Sequence, residues 1–246
     1  MSAETGALDG RVAVITGAAS GIGRAMARRF KEGGAVVIAV DVDGAKLQKV
    51  GADLGCETVC VDISTAEGIA AMLDRPRVDI LCNNAGVLDG LTPLADTDDA
   101  LWRRVMSINV DGPFAAMRAV LPGMVERGSG VILNTCSAAA LSGGRAGAAY
   151  TASKHALLGL TRSVAWYYAD KGVRCNAMAP GAIQTAMHAR LAPHEGGMAH
   201  YSRHFPTIPA AGKAQDVAEL AFFLVSDAAR YVNGAIVSAD GGWNAF

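Results

Sequence analysis

The sequence is poor in charge and contains no long apolar run, and both features exclude classes of protein. Charged residues make up 18% of the 246 residues, against a usual share of about 25%. The 22 Lys and Arg residues nearly balance the 23 Asp and Glu residues, so no strong field attracts nucleic acid or an anionic surface. Apolar stretches such as 35–40 and 221–225 are much shorter than the roughly 18 residues of a membrane span. We therefore expect neither nucleic acid nor a membrane as a partner.

Cysteine and targeting signals are also scarce. The five cysteines are an odd number and several stand in apolar stretches, which favours free thiols over a disulfide framework or a metal site. The first ten residues have no basic start and no apolar core of an export signal, so the cytoplasm is the expected location. Glycine, by contrast, is abundant at 29 residues and predicts many tight turns.

Short runs rich in Val and Ile alternate with longer stretches of helical period, which is typical of βαβ units and a parallel sheet. Strands are predicted at 12–16, 35–40, 58–61, 78–82, 130–135, 173–177 and 235–238. Helices are predicted at 22–32, 44–54, 98–126, 149–170 and 214–226, with a shortened helix between residues 62 and 79. Most strand runs are apolar without alternation, so helices should cover both faces. The predicted fold is α/β: a single-domain Rossmann-type doubly wound fold with a seven-stranded parallel sheet flanked by helices.

A glycine-rich loop follows the first predicted strand. It reads Thr16-Gly17-Ala18-Ala19-Ser20-Gly21-Ile22-Gly23, with the spacing G-x-x-x-G-x-G, and it leads into a helix. Glycines allow a tight turn and let a pyrophosphate approach the helix N-terminus, where free N–H groups and the helix dipole favour an anion. The loop therefore predicts a dinucleotide site, although glycines at a structural turn are the alternative.

The second predicted strand leads to Asp41, close to the roughly 20 residues beyond the loop at which a carboxylate reaches the adenosine ribose hydroxyls. A 2′-phosphate would meet a negative charge there. Ser20 and Val42, where a cation could bind that phosphate, are neutral. The sequence therefore predicts NAD rather than NADP. Asp43 could share the role, and a solvated aspartate at the strand end is the alternative.

Tyr150 and Lys154 are four residues apart in the predicted helix 149–170, so their side chains leave the same helix face. A free phenol has a pKa of about 10 and is a poor base at neutral pH. A nearby ammonium favours the phenolate, so the pair can act in acid–base catalysis. An unrelated tyrosine and lysine on one helix face are the alternative.

The ordered set of motifs resembles the short-chain dehydrogenase/reductase family over essentially the whole chain. Beyond the glycine loop, the set comprises Asp62, Asn83-Asn84-Ala85-Gly86, Asn109, Ser137, Tyr150-Thr151-Ala152-Ser153-Lys154, Asn176, Pro180-Gly181-Ala182-Ile183-Gln184-Thr185 and Asp240-Gly241-Gly242. The resemblance implies an NAD-dependent oxidoreductase that interconverts a secondary alcohol and a ketone, or another carbonyl, by hydride transfer. It also implies one domain over 1–246 with a substrate lid around 181–213. A homotetramer built from the helices at 98–126 and 149–170 and the C-terminal strand is expected.

The same resemblance implies a role for each residue. Tyr150 would exchange a proton with the substrate oxygen, and Ser137 would hold that oxygen. Lys154 would lower the phenol pKa and bind the nicotinamide ribose, and Asn109 would hold a water linking Lys154 to solvent. Asp62 and Ile63 would contact the adenine, Ile183 and Thr185 the carboxamide, and Asn84 either the cofactor or the sheet. The expected cofactor-binding residues are Gly17, Ser20, Gly21, Ile22, Gly23, Asp41, Asp62, Ile63, Asn84, Ala85, Gly86, Tyr150, Lys154, Pro180, Gly181, Ile183 and Thr185.

Three other functions compete with this hypothesis. A 3-oxoacyl-(acyl-carrier-protein) reductase would use NADPH, which Asp41 disfavours. A cofactor-sensing regulator would not need the complete proton-transfer set. A zinc hydrolase would need the lid histidines, but they form no zinc pattern, and we expect no metal. Whether the lid recognises a polar or anionic substrate through a histidine or Tyr201, or an apolar or aromatic substrate, stays open from composition alone. The histidines are His188, His194, His200 and His204.

Overall fold

A seven-stranded parallel sheet forms the centre of the molecule. The computed structural model describes residues 6–185 and 192–245. The strands run in the spatial order β3-β2-β1-β4-β5-β6-β7, and each neighbouring pair is parallel. They are β1 Val12–Thr16, β2 Val36–Asp41, β3 Glu57–Cys60, β4 Ile80–Asn83, β5 Gly130–Thr135, β6 Val173–Pro180 and β7 Ile236–Ala239. The predicted sheet is confirmed. β6 extends to Pro180, beyond the predicted end at residue 177, because its last residues pair with β7.

Helices cover both faces of the sheet and complete the doubly wound, Rossmann-type fold. One buried cluster includes Phe30 and Phe222, and the cluster on the opposite face includes Met124 and Leu157. Burial on both faces explains why the strand sequences are apolar without alternation. The described helices are α1 Gly21–Glu32, α2 Gly44–Leu54, α3 Ala66–Leu73, α4 Asp99–Met106, α5 Gly112–Glu126, α6 Ala148–Tyr168, α7 Glu195–Ser202 and α8 Ala214–Val225.

The predicted helix 98–126 is not uniformly α-helical. A π-helical turn, Ser107–Asp111, separates α4 from α5. Such a turn inserts an extra residue into the helix and is frequent at functional sites. It contains Asn109, whose side chain is fully buried. Hydrophobic periodicity does not reveal this change, because the apolar face continues from α4 to α5.

The strand order creates a crevice at the carboxyl ends of the central strands. β1 and β4 are adjacent, and the chain continues from β1 towards β3 on one side and from β4 towards β7 on the other. In doubly wound sheets, ligands bind at the carboxyl ends of the strands where the order reverses. The loops that follow β1, β4, β5 and β6 therefore meet at a ligand-binding position.

The segment predicted as a lid contains α7; its two ends pair with each other, and α7 begins against the loop after β4. Ile183 and Gly212 form an isolated parallel bridge. The His194 N–H donates to the Gly90 carbonyl at 2.7 Å, so α7 begins against the loop after β4. His188 lies outside the described residues. In the described ranges no helix has the length and apolar character needed to cross a bilayer.

Candidate active site

A cavity of about 380 Å³ lies at the carboxyl ends of the strands where β1 and β4 meet. Its volume falls within the range of roughly 300–1,000 Å³ that is typical of small-molecule sites. Every residue that the sequence predicted for the site lines this cavity except Gly23 and Asn109. The predicted lining residues are Gly17, Ser20, Gly21, Ile22, Asp41, Asp62, Ile63, Asn84, Ala85, Gly86, Ser137, Tyr150, Lys154, Pro180, Gly181, Ile183 and Thr185.

Two glycines of the loop have no room for a side chain. Gly17 has a φ of +68°, and a Cβ there would lie 2.9 Å from the Ala85 Cα. A Cβ on Gly23 would lie 2.2 Å from the Gly17 carbonyl oxygen. Gly23 therefore acts behind the cavity wall by letting the loop pack against α1. Ser20, the N-cap of α1, makes no side-chain cap, and the first helical turn has no acidic residue. This helix end fits a dinucleotide pyrophosphate.

Asp41 stands at the end of β2 and is held by two backbone contacts. Its carboxylate accepts from the Ala19 N–H at 3.0 Å and from the Asp43 N–H at 3.0 Å. The first contact ties the strand end to the glycine loop. Asp43 instead caps α2 and pairs with the Lys46 ammonium, and it does not line the cavity. The position of Asp41 fits a carboxylate that binds ribose hydroxyls.

Asp62 and Ile63 form another part of the cavity wall. The Asp62 Oδ1 accepts from the Ser64 N–H at 2.8 Å and from the Ser64 hydroxyl at 2.7 Å. These bonds use one carboxylate oxygen, so the second can accept from a ligand amino group. The Ile63 side chain is buried, and its carbonyl would lie 2.8 Å from a Cβ on Gly112. The pair fits the expected adenine position.

The two adjacent asparagines have different surroundings. Asn83 is buried and donates to Asn134 within the sheet, at 2.8 Å. Asn84 donates to the Thr16 carbonyl at 2.9 Å and accepts from the Thr135 hydroxyl at 3.3 Å. Asn84 thus joins the ends of β1 and β5 while also lining the cavity. Of the two roles that the sequence left open for it, the structural one is visible in these contacts.

The candidate catalytic side chains project from α6 and from the turn after β5. Tyr150 and Lys154 are 8% and 3% exposed. The Lys154 ammonium donates to the Thr135 carbonyl at 2.9 Å and lies 5.5 Å from the centroid of the Tyr150 ring. The Ser137 hydroxyl accepts from the Ala139 N–H at 3.1 Å and hydrogen-bonds the Tyr150 phenol. A hydroxyl, a phenol and an ammonium therefore meet at one side of the cavity.

Burial controls the protonation of this group. Desolvation raises the pKa of Tyr150 to about 12, the Ser137 hydrogen bond opposes the rise, and the charges of Cys136 and Asp89 add to it. Burial also lowers the pKa of Lys154. The sequence predicted a lowered pKa for the Tyr150 phenol. In the structure this pKa is raised instead, because desolvation of the phenolate outweighs the favourable contacts. The phenol is therefore protonated at neutral pH.

Asn109 does not line the cavity. Its amide donates to the Val87 carbonyl at 3.0 Å and to the Ser153 hydroxyl at 3.1 Å, and its Oδ1 accepts from the Val87 N–H at 2.9 Å. Both amide hydrogens are thus engaged within the protein. This side chain clamps the segment after β4 to α6. One lone pair of Oδ1 remains free for a further contact, and the expected water link to Lys154 stays a prediction.

Asp89 was not predicted, although it supports α6, the helix that carries Tyr150 and Lys154. Its carboxylate is 2% exposed and accepts from the backbone N–H groups of Gly147 at 3.1 Å and Tyr150 at 2.8 Å. The N-cap residue Gly147 has no side chain, so the cap of α6 comes from a distant loop. A glycine two residues before the predicted helix was the available signal, but it did not identify the partner.

Arg145, Tyr201 and Trp243 also line the cavity. Tyr201 was among the residues predicted for substrate recognition, whereas Arg145 and Trp243 were not predicted. The described histidines of the lid segment, at 194, 200 and 204, do not line the cavity. Within residues 6–185 and 192–245, no three His, Cys, Asp or Glu side chains form a group that could hold a metal ion. His188 lies outside this part.

Comparison with known proteins decides the family. A family model described as enoyl-(acyl carrier protein) reductase matches residues 17–244. The 3β-hydroxysteroid dehydrogenase 2 of Eggerthella lenta is 40% identical, and the match covers 97% of this chain and 96% of the relative. The chain belongs to the short-chain dehydrogenase/reductase family. The predicted family is confirmed, and so is an oxidoreductase of the kind that acts on CH–OH groups.

Two further members show how broad this short-chain dehydrogenase/reductase group is. The cis-4-hydroxycyclohexanecarboxylate dehydrogenase of Sinomonas cyclohexanicum is 39% identical, over 96% of this chain and 97% of the relative. A solved structure of a candidate NAD(P)-dependent gluconate 5-dehydrogenase from Beutenbergia cavernae, with NADP bound at low occupancy, has a TM-score of 0.87. It is 38% identical, and the match covers 97% of this chain and 98% of that one. Binding of NAD(P) is thus a property of close structural neighbours.

Proposed function

We propose that this short-chain dehydrogenase/reductase is an NAD-dependent enzyme that interconverts a secondary alcohol and a ketone or another carbonyl. One observation carries the proposal: Tyr150, Ser137 and Lys154 meet on the wall of the same cavity that the glycine loop borders. A proton-exchanging group and a dinucleotide cradle in one cavity suit hydride transfer, which requires both.

The chain's own residues handle the proton and orient the substrate. In oxidation, the substrate hydroxyl transfers its proton to the Tyr150 oxygen; in reduction, the Tyr150 phenol donates that proton to the carbonyl oxygen. Ser137 hydrogen-bonds the same substrate oxygen and stabilises the charge that develops on it. The nicotinamide, when bound, accepts or supplies the hydride. Lys154 places a positive charge beside the Tyr150 ring and is assigned to the nicotinamide ribose.

Asp41 supports NAD as the cofactor. Its carboxylate is held at the cavity by Ala19 and Asp43, and a 2′-phosphate would meet its charge. Val42, the next residue, is neutral and 67% exposed. The structural neighbour with bound NADP makes NADP the second candidate. An NADPH-dependent reductase of acyl-carrier-bound substrates is the corresponding alternative function.

The remaining sequence predictions belong to this proposal. They are a single domain over 1–246, a lid around 181–213, the cytoplasm and a homotetramer. Large apolar side chains exposed on α5 and α6 support an assembly through these helices. They are Phe114, Trp166 and Tyr167. Sedimentation equilibrium of the purified protein tests the tetramer.

A spectrophotometric panel tests the function. Secondary alcohols, polyols, steroids and hydroxy acids are offered with NAD and with NADP, to the native enzyme and to Tyr150→Phe. We expect NADH formation with at least one alcohol, and a loss of about 100- to 10,000-fold in the variant, because it lacks the acid–base group. Turnover only with NADP would overturn the interpretation of Asp41. NADH binding without any turnover would favour the cofactor-sensing regulator.

A further inference from the structure

Two buried donors in the cavity wall lack acceptors. The Arg145 Nε and the Trp243 Nε1 are both inaccessible to solvent, and neither has a hydrogen-bond partner within the described ranges 6–185 and 192–245. A buried N–H group without a partner is rare, because it has lost its hydrogen bonds to water and gained none in the protein. Both residues line the cavity that contains Tyr150. A ligand of this cavity with acceptor atoms would supply the missing partners if the two side chains turn to meet it.

The two donors are part of one built arrangement. The Arg145 guanidinium lies 4.3 Å from the centroid of the Trp243 ring, and its NH2 group donates to the Trp243 carbonyl at 2.9 Å. The Asn244 amide accepts from the Ser142 hydroxyl at 3.1 Å, and Asp240 accepts from the Asn244 backbone N–H at 3.0 Å. The C-terminal segment is thus fixed against the loop that carries Arg145. Tyr201 adds a phenol, whose pKa is raised by burial, and the Arg145 charge opposes this rise.

The charge of this wall selects the ligand. Three cations line the cavity, Arg104, Arg145 and Lys154, and Arg145 and Lys154 belong to the segment that leads into α6 and to α6 itself, which carries Tyr150. The lining carboxylates Asp41 and Asp62 belong to the cofactor side. A guanidinium with a free donor and a neighbouring indole N–H suits a carboxylate, whose two oxygens accept from both. A neutral apolar substrate would leave both donors unsatisfied.

We infer that the substrate is a hydroxy acid or oxo acid whose carboxylate binds Arg145 and Trp243 while its alcohol or carbonyl carbon faces Tyr150. This inference rests on the proposed function and specifies its substrate class. It decides between the anionic and apolar substrates that the lid composition left open. It also assigns a role to the C-terminal Trp243, which carries the second donor.

Turnover of matched substrates gives the first test. 4-Hydroxycyclohexanecarboxylate is compared with 4-hydroxycyclohexanecarboxamide, which has the same ring and alcohol without the charge. We expect kcat/KM to favour the carboxylate by about 10- to 100-fold in the native enzyme, because charge-assisted hydrogen bonds are lost with the amide. The preference should fall to a few-fold in Arg145→Gln, mainly through KM, and be partly restored in Arg145→Lys.

Trp243→Phe removes the indole N–H and keeps an aromatic ring beneath Arg145. It should weaken the carboxylate preference several-fold without a matching loss of thermal stability. Arg103→Gln is the control for Arg145→Gln, since Arg103 is an exposed residue of α4 that pairs with Asp99. If the native enzyme does not discriminate between acid and amide, or if Arg145→Gln loses activity on both equally, the inference is wrong.

A second measurement does not depend on turnover. Isothermal titration calorimetry follows the binding of cyclohexanecarboxylate and cyclohexanecarboxamide, which carry no alcohol, to Tyr150→Phe with NADH present. Selective binding of the acid that requires Arg145 supports the inference even if no alcohol is oxidised, and in that case the proposed function alone fails. Equal binding of both compounds, or binding of neither, overturns the inference. Circular dichroism of each variant confirms that it is folded.

Discussion

The cofactor side and the substrate side of the cavity are built in different ways. On the cofactor side, backbone geometry determines the shape: Gly17 and Gly23 leave no space for a Cβ, and Asp41 is held by backbone N–H groups. On the substrate side, Arg145 and Trp243 contribute long side chains from segments that are 98 positions apart in the chain. The first side is therefore suited to a ligand of fixed shape, a dinucleotide, and the second side is suited to a variable substrate.

The two sides of the cavity also differ in whether their polar groups have hydrogen-bond partners within the protein. Asp41 already has partners within the protein, and a cofactor would add to them. Arg145 and Trp243 each retain a buried donor without a partner in the described part of the chain. Unsatisfied buried donors mark the place where a ligand has the largest effect on the free energy of the site. The substrate side therefore depends more strongly on its ligand than the cofactor side does.

The pH dependence of turnover should show the largest effect and reports on the substrate side. Burial raises the pKa of Tyr150 to about 12, so the phenol is protonated at neutral pH. Reduction uses the protonated form, and its kcat/KM should stay flat from pH 6 to about pH 9. Oxidation uses the phenolate, whose fraction rises about tenfold per pH unit below the pKa. Initial rates in both directions measure this, and an oxidation rate independent of pH would contradict it.

Gly23→Ala tests the backbone of the cofactor side. The new Cβ would lie 2.2 Å from the Gly17 carbonyl oxygen, so the loop must move. Overpacking of this kind typically costs about 1–3 kcal/mol, and NADH binding should weaken by about 10- to 100-fold. Gly143→Ala is the control, because a Cβ there would meet nothing within 4 Å. Fluorescence titration with NADH measures both variants, and equal affinities would show that the loop tolerates a side chain.

Asp41→Ser tests whether the carboxylate selects NAD. Removing a charge near the 2′ position should raise the ratio of kcat/KM for NADP over NAD by about tenfold or more, since two charges 5 Å apart interact by roughly 1–3 kcal/mol at an effective dielectric constant of 20–80. Asp43→Ser is the matched control, because Asp43 does not line the cavity. A similar change of the ratio in both variants would show that net charge, rather than the position of Asp41, matters.

Asp89→Asn should give the smallest effect and tests how the catalytic helix is held. The carboxylate accepts from Gly147 and Tyr150 backbone N–H groups through different oxygens, and an amide can accept through only one. We expect a loss of about 1–2 kcal/mol in the free energy of unfolding and a several-fold lower kcat. Asp216→Asn, at the exposed cap of α8, should cost less. Chemical denaturation compares them, and equal losses would contradict a special role for burial.

Features that depend on neighbouring residues were predictable from the sequence. The glycine loop and Asp41 lie in the first βαβ unit, and Tyr150 and Lys154 lie in one helix, so spacing alone indicated them as candidates. The structure places them on the cavity wall. The resemblance then connected these local motifs into one site. Asn109 illustrates the limit of this approach: the motif was found, but its burial in a π-helical turn depends on contacts with Val87 and Ser153.

The sequence by itself determined the parallel sheet and the cofactor side of the cavity, because hydrophobic periodicity and glycine spacing are local properties. Only the tertiary structure decided the substrate side and the support of the catalytic helix. Asp89 reaches Tyr150 across 61 positions, and Arg145 reaches Trp243 across 98. Such pairs carry no local periodicity. They form only after the sheet brings the loops together. The balance between burial and hydrogen bonding of their polar groups is therefore set by the tertiary structure.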